Sequence, residues 1–196
     1  PDFQTSGLIF FAYSEPRGNF ANGTSVVRAK LTLEGESGRI SDGEIIFRQE
    51  PPARSFYHFG SRLVFDTKGA LFVTLGERAD LSDSAQDLST HLGKIVRINL
   101  DGSVPAGNPF SKDEAKRPEV WSYGHRNVQG AAIDPATEYL VCPKRRQSVA
   151  PGTSPLDERA AGEALIGKQI VTALEAKQGA TLNMLWIVLN SILVIG

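Results

Sequence analysis

Hydrophobic and polar positions alternate in short runs along the first two thirds of the chain, and Gly, Pro, Asn, Asp and Ser separate these runs. Short runs rich in β-branched and aromatic residues, bounded by turn residues, are typical of β-strands. The pattern predicts strands at 8–13, 25–33, 44–48, 63–65, 71–75, 94–100, 120–123, 131–133 and 139–142. We therefore expect an all-β protein.

Two predicted hairpins resemble each other, LVFDTKGALFV at 63–73 and AAIDPATEYLV at 131–141. Each reads as an apolar run, an aspartate (Asp66 or Asp134), a turn and a second apolar run. Repetition of a β-unit at intervals of tens of residues is typical of a propeller or a related array. Two ordinary hairpins would produce the same pattern, so both interpretations stay open at this point.

The pattern changes near residue 140. Residues 143–155 are rich in Pro, Arg and Ser and predict a loop, whereas 157–178 carry apolar residues at helical spacing. Residues 182–195 are almost wholly apolar, but fourteen residues fall short of the ~20 needed to span a bilayer. A buried strand or helix is favoured there over a membrane anchor. We expect a β domain at 1–140 and a separate, partly helical region at 141–196.

Composition narrows the function classes. Apolar residues make up 41% of the chain and charged residues 22%, which is ordinary for a soluble globular protein. A net charge of −1 argues against nucleic acid or an anionic membrane as the main partner. The single cysteine, Cys142, excludes an internal disulfide framework. The chain begins Pro1-Asp2-Phe3, so we expect a signal peptide to be absent or already removed.

Two polar clusters stand where a predicted strand gives way to a loop, one at His58 and one at His125-Arg126-Asn127. Loops held by a rigid sheet are where binding and catalysis concentrate. Histidine titrates near neutral pH and suits a general base, although a lone histidine before a strand is more often a packed or surface residue. No pair of histidines or carboxylates shows zinc or EF-hand spacing, so no metal ligand is predicted from spacing.

Several motifs occur in a fixed order, and together they are more specific than any one alone. They are HFGSRLVF at 58–65, Gly76-Glu77, Gln86-Asp87-Leu88, HLGKIVRINLDGSVP at 91–105 and GHRN at 124–127. This series resembles the soluble aldose sugar dehydrogenases, relatives of soluble glucose dehydrogenase that use pyrroloquinoline quinone. The resemblance covers roughly residues 1–137 and is dense from 57 to 132.

The resemblance implies a six-bladed β-propeller, of which this chain would supply about three blades. It implies pyrroloquinoline quinone and calcium as cofactors and a small aldose as substrate, whose anomeric hydroxyl is oxidised to a lactone. A quinone, cytochrome or dye would accept the electrons, and a homodimer is compatible with the family. The enzyme would be exported, to the periplasm or the medium.

Residue roles follow from the resemblance position by position. His58 would be the general base, and Glu77 would hold its imidazole, with a solvated loop carboxylate beside Arg78 as the alternative for Glu77. Arg126 and Asn127 would contact the quinone, since a guanidinium pairs with carboxylates and polarises a carbonyl. Gln86 falls at a quinone-contacting position, although the intervening loop varies in length.

The remaining histidines and one turn have plainer interpretations. His125 is expected to tie down its loop, and His91 to support packing at a strand start. Asp101-Gly102 resembles a calcium loop only superficially and predicts a hairpin turn.

The resemblance stops near residue 140. Relatives continue with a segment of the type E-H-G-P-R-G-G-D-E, whose carbonyls bind calcium, and then N-Y-G-W-P; neither occurs here. We therefore expect a fragment of the enzyme, inactive as a truncated chain, whose region 141–196 is foreign to it. A calcium-dependent lactonase and a non-catalytic propeller fragment remain the alternatives.

Overall fold

The computed structural model describes residues 3–35, 37–142 and 192–193, and β-strands dominate it. The strands are β1 (Leu8–Pro16), β2 (Asn22–Glu34), β3 (Ser37–Arg48), β4 (Gly60–Phe65), β5 (Leu71–Leu75), β6 (Lys94–Ile98), β7 (Val120–Tyr123), β8 (Ala132–Ile133), β9 (Leu140–Val141) and β10 (Ile192–Leu193). Two short helices accompany them, α1 (Phe3–Ser6) and a 3₁₀ helix (Ser82–Ala85). No helix in this part of the chain is long and apolar enough to cross a membrane.

The second sheet is an up-and-down meander with the strand order β4-β5-β6-β7. A four-stranded antiparallel sheet of this kind is the blade of a β-propeller. Gly60 pairs with Leu75, and Lys94 with Tyr123, so the start of β4, the end of β5, the start of β6 and the end of β7 meet at one end of the blade. The predicted strand at 94–100 ends at Ile98 instead, because Asn99 begins a turn that closes on Ser103.

The first sheet has the order β10-β1-β2-β3. The prediction placed no strand between residues 33 and 44, and this is wrong, because β2 and β3 extend into that stretch as one long hairpin. The Ser, Gly and Asp residues at 37–43 argue for a loop, yet pairing with β2, such as Leu31 with Ile40, keeps them in a strand. Of the predicted tail elements, only β10 is described, paired with β1; the helix at 157–178 lies outside the described residues.

The third sheet is the β8–β9 hairpin, and it repeats the turn of the β4–β5 hairpin. Asp66 Oδ1 accepts hydrogen bonds from the backbone N–H groups of Lys68 (2.9 Å) and Ala70 (2.7 Å). Asp134 Oδ1 accepts one from Ala136 N–H at 2.9 Å. Both predicted hairpins are thus confirmed. The described strands amount to one complete blade, a second four-stranded sheet and the beginning of a third unit.

The two large sheets pack face to face, as neighbouring propeller blades do. Their shared core is apolar and almost fully buried, and the rings of Phe10 and Phe65 meet edge to face at 5.3 Å between centroids. Side chains from both sheets form this core: Phe10, Ala12, Val26, Ile46, Phe47, Leu63, Leu71, Val73, Leu75, Val96, Ile98 and Val120. Burying side chains of this size stabilises a fold by about 1.5–3 kcal/mol each. The core fixes the first sheet beside the blade and so positions the loop that joins β3 to β4.

Candidate functional site

Three loops converge at the end of the blade where β5 and β7 finish: the β3–β4 loop (49–59), the β5–β6 loop (76–93) and the loop after β7 (124–131). The β3–β4 loop is bridged to the start of β2 by paired backbone hydrogen bonds between Asn22 and Ala53, at 3.0 and 2.9 Å. All the site residues predicted from the sequence lie on these three loops. The meander topology therefore brings together residues that are up to 69 positions apart, from 58 to 127.

His58 and Glu77 form a close pair. His58 Nδ1 lies 2.5 Å from Glu77 Oε1, with 22% of the His58 side chain exposed and 3% of the Glu77 side chain. Burial at this level does not fit the alternative of a solvated loop carboxylate for Glu77. A carboxylate on Nδ1 fixes the imidazole tautomer and leaves Nε2 as the nitrogen that can take a proton. Glu77 Oε2 is buried and makes no hydrogen bond to the described residues.

The backbone of His58 is held in an unusual conformation. Its φ is +52°, in the left-handed region that few non-glycine residues adopt. Gly76 makes this possible, since a Cβ there would lie 1.8 Å from the carbonyl oxygen of His58. Backbone strain of this kind costs of order 1–3 kcal/mol and clusters at functional sites. The position of His58 is thus fixed by the β5–β6 loop packed against it.

Arg126 and Asn127 adjoin the same pair. Arg126 Nε lies 3.7 Å from Glu77 Oε1, and the Arg126 carbonyl accepts a hydrogen bond from Glu77 N–H at 2.9 Å. Asn127 Oδ1 accepts one from Gly60 N–H at 3.0 Å, which leaves its amide NH₂ as a donor. The Arg126 side chain is 73% exposed, so its guanidinium presents N–H donors to solvent.

Gln86, His125 and His91 contact groups other than His58. Gln86 is exposed and lies against Gly124, where a Cβ would come within 3.0 Å of its Nε2; it makes no hydrogen bond to His58 or Arg126. His125 shares a 2.8 Å hydrogen bond with Ser122 Oγ, and burial, together with the nearby Lys94 ammonium, lowers its pKa. His91 is buried, packed 5.0 Å from the ring of Phe47 between centroids.

Arg78 is the first site residue that sequence reasoning missed. It is fully buried, its Nη2 donates to the Ser55 carbonyl and to Asn22 Oδ1, and its Cζ lies 3.7 Å from the centroid of the Phe59 ring. Burial lowers the pKa of Arg78 to about 10. Nothing in the local pattern distinguishes an arginine in this loop from a solvated one, so no sequence signal pointed to its burial.

Lys94 is the second missed residue, a fully buried lysine at the start of β6. Its Nζ donates to three backbone carbonyls, those of Ser84 (2.8 Å), Ala85 (3.1 Å) and Leu92 (2.6 Å). Burial lowers the pKa of Lys94 to about 8, and the Asp87 carboxylate opposes that shift. The ammonium fastens the β5–β6 loop, on which the backbone of Gly124 docks through Ala85.

The donors at this site suit an anionic, carbonyl-bearing ligand. The Arg126 guanidinium and the Asn127 amide offer N–H groups beside the His58–Glu77 pair, and guanidinium groups bind carboxylates in a two-pronged geometry. Among residues 3–35 and 37–142, no group of three or more His, Cys, Asp or Glu side chains could hold a metal ion. The N–H donors of Arg126 and Asn127 fit an organic ligand that carries carboxylates.

Known proteins resemble this chain over the same region. The aldose sugar dehydrogenase YliI of Escherichia coli K12 is 43% identical over 140 residues, which cover 71% of this chain and 37% of that protein. The crystal structure of the soluble aldose sugar dehydrogenase from Escherichia coli, in the apo form, matches with a TM-score of 0.67 and 42% identity over 72% of this chain and 40% of that one.

A second solved structure is the PQQ-bound form of an aldose sugar dehydrogenase from Streptomyces coelicolor. It matches with a TM-score of 0.59 and 29% identity, over 72% of this chain and 39% of that one. The chain thus spans about two fifths of the length of these relatives. The family model for glucose/sorbosone dehydrogenase matches residues 1–143. With its propeller blades and this match over most of its length, the chain belongs to the glucose/sorbosone dehydrogenase family.

Proposed function

We propose that this chain carries the general-base side of an enzyme that oxidises the anomeric hydroxyl of an aldose to a lactone, with pyrroloquinoline quinone as the hydride acceptor. One observation carries the proposal: a buried Glu77 carboxylate bonded to the Nδ1 of a partly exposed His58, in a chain of a sugar dehydrogenase family. Base–carboxylate pairs of this kind hold an imidazole ready to accept a proton.

His58 has one role in this reaction. With Nδ1–H donated to Glu77, the lone pair of Nε2 takes the proton of the anomeric hydroxyl as the C1–H bond is broken. The electron pair of the former O–H bond becomes the second bond of the lactone carbonyl, and the C1 hydride leaves. When bound, the quinone supplies the acceptor for that hydride. Proton transfer by a positioned base contributes about 10²–10⁴-fold to a rate.

Arg126 and Asn127 bind the cofactor in this proposal. The exposed Arg126 guanidinium would pair with a carboxylate of the cofactor or polarise a quinone carbonyl, and the Asn127 amide would donate beside it. A relative whose solved form is PQQ-bound supports this cofactor class. Gln86 is a further proposed contact, because its amide lies against Gly124, two residues before Arg126.

The proposal extends to the whole protein in three respects. The β domain at 1–140 provides the base and one cofactor edge, and the described strand β10, from the region 141–196, adds to the first sheet of that domain through β1. Residues outside this chain's match complete the sugar and cofactor sites, since the chain covers 37% of an aldose sugar dehydrogenase. An exported location and a calcium ion follow from the family resemblance, and no residue of this chain is assigned to the ion.

The test uses the complete enzyme, with the residues that complete the sugar and cofactor sites, reconstituted with pyrroloquinoline quinone and calcium, and dye reduction is followed on glucose and other aldoses. We expect His58→Gln to lower kcat by about 10²–10⁴-fold, with cofactor binding, measured by absorbance, unchanged. The control is Arg28→Lys, which keeps the ion pair with Glu44 in the β2–β3 hairpin and should retain activity. Unchanged activity in His58→Gln would remove the proposed base, and lactone hydrolysis without quinone would favour a lactonase.

A further inference from the structure

We propose that Arg78 is a positioning residue for the general base: its buried guanidinium grips the chain on both sides of His58 and so sets where the imidazole stands. The inference rests on the proposed function, in which His58 takes the proton. It concerns a residue that touches neither substrate nor cofactor in that proposal.

Arg78 contacts the β3–β4 loop at two points that bracket His58. Nη2 donates to the carbonyl of Ser55, three residues before His58, and the guanidinium plane stacks on the ring of Phe59, the residue after it. The same Nη2 donates to Asn22 Oδ1 at the start of β2. One side chain therefore ties the loop that carries His58 to the neighbouring blade.

The contacts around Arg78 are those of a clamp rather than of an ion pair. No carboxylate of the described residues pairs with Arg78, and its Nε and Nη1 are buried without a hydrogen-bond partner there. Burying an unpaired cation costs stability, and the lowered pKa of Arg78 reflects that cost. Stability alone thus gives no reason for a charge at this position, whereas a planar group that stacks and donates at once is needed to hold the loop.

Glu77 and Arg78 act on His58 as neighbours in one turn. Glu77 fixes the imidazole through Nδ1, and Arg78 fixes the backbone on either side. Arg78 itself has a φ of +66° and Ala79 one of +67°, so the turn that holds His58 is, like His58, in the left-handed region. Side chain and backbone of the base are therefore oriented from a single rigid segment.

Lysine cannot replace this group. It keeps the charge but offers a point ammonium, without the flat face that lies on Phe59 or the fixed spacing of guanidinium donors. A misplacement of a catalytic group by about 1 Å costs on the order of 10²-fold in rate. We expect Arg78→Lys to lower kcat by about 10–100-fold and to change the KM for the aldose little.

The experiment combines kinetics with a readout that needs no turnover. In the full-length apo protein labelled with ¹⁵N-histidine, the Nδ1–H proton of His58, assigned with His58→Gln, reports its hydrogen bond to Glu77. We expect this signal to shift or broaden in Arg78→Lys, while the imidazole signal of His125, which bonds Ser122 Oγ in β7, stays in place. Phe59→Leu, which removes the stacked ring and leaves the charge, should give a smaller change in the same direction.

The matched control is Arg97→Lys. Arg97 also stacks on an aromatic ring, Trp121 at 5.4 Å, and donates to Asp66 at the opposite end of the blade. The Arg97→Lys variant should therefore have the same kcat and the same His58 signal as the unchanged protein. An unchanged His58 signal and kcat in both Arg78→Lys and Phe59→Leu, with His58→Gln inactive, would overturn the positioning role alone. Full activity in His58→Gln would overturn the proposed function instead. If Arg78→Lys does not fold, Phe59→Leu decides.

Discussion

Two buried cations hold the loops of the site in different ways. Arg78 holds the β3–β4 loop around His58, which is the Arg78 side of the site, and Lys94 holds the β5–β6 loop against Gly124, which is the Lys94 side. The Lys94 ammonium has three N–H donors and meets three carbonyls, all from residues 84–92 of the β5–β6 loop that precedes it. The Arg78 guanidinium has five donors, bonds two acceptors from distant segments and rests on a ring, with Nε and Nη1 unmatched among the described residues. Lys94 therefore satisfies the carbonyls of a single loop and uses all its own donors. Arg78 instead connects the β3–β4 loop to the start of β2, at a cost in stability. We expect the first to matter more for stability and the second more for catalysis.

The largest expected effect tests how tightly the Arg78 side is packed. In Gly76→Ala, the new Cβ would fall 1.8 Å from the His58 carbonyl oxygen, a backbone atom that cannot move aside cheaply. We expect a loss of at least ~3 kcal/mol in the free energy of unfolding and of at least ~100-fold in kcat, measured by urea unfolding and dye reduction.

The matched variant on the Lys94 side is Gly124→Ala. Its Cβ meets only the end of the Gln86 side chain at 3.0 Å, although a φ of +81° strains any other residue there. We expect a loss of about 1–2 kcal/mol. If Gly124→Ala proves as damaging to kcat as Gly76→Ala, the two sides do not differ as described.

The second prediction separates stability from catalysis. Lys94→Met leaves three buried carbonyls without their hydrogen-bond donor, so we expect a loss of roughly 3 kcal/mol in the free energy of unfolding. Arg78→Met leaves two acceptors without a donor but also removes an unpaired buried charge. Its loss in the free energy of unfolding should therefore be smaller, about 1–2 kcal/mol. The order should reverse for kcat. If the same variant loses more in both urea unfolding and kcat, the comparison of Lys94 with Arg78 is contradicted.

The third prediction is a dependence of the free energy of unfolding on pH. Because folding lowers the pKa of Lys94 from an ordinary 10.5 to about 8, the unfolded chain binds more protons than the folded chain between these values. The free energy of unfolding should therefore rise with pH in this window, by at most ~1.4 kcal/mol per pH unit from this group. Urea unfolding from pH 7 to 10 should show this rise.

The two cations give the control for that rise. Lys94→Met should abolish it, because no group then titrates at this position. Arg78→Met should keep it up to pH 10, because the pKa of Arg78 lies near 10. A rise that survives in Lys94→Met would assign the proton uptake to another group.

Most of the fold could be predicted because its strands carry their own signal. Short runs of Val, Ile, Leu and Phe residues in β4, β5 and β6 indicate buried strands without any tertiary information. The extension of β3 over 37–43 could not be predicted, since Ser, Gly and Asp argue locally for a turn and only pairing with β2 overrides them. Helix α1 is four residues long, too short for a helical period to show.

The candidate site divides in the same way. Motifs in the sequence were enough to name His58, Glu77 and Arg126. In the structure, His58 Nδ1 and Arg126 Nε both approach Glu77 Oε1. Their roles stay predictions until the variants are measured. Arg78 and Lys94 could not be named, because the burial of a charged side chain depends on which distant carbonyls and rings surround it.

The placement of the turn at Asp66–Gly69 has a practical consequence. It lies at the far end of β4 and β5 from His58 and Glu77, its Thr67 and Lys68 are exposed, and its backbone is held by Asp66 rather than by the site. A linker attached through Lys68 could anchor the protein to a surface with the His58 end turned toward the solution.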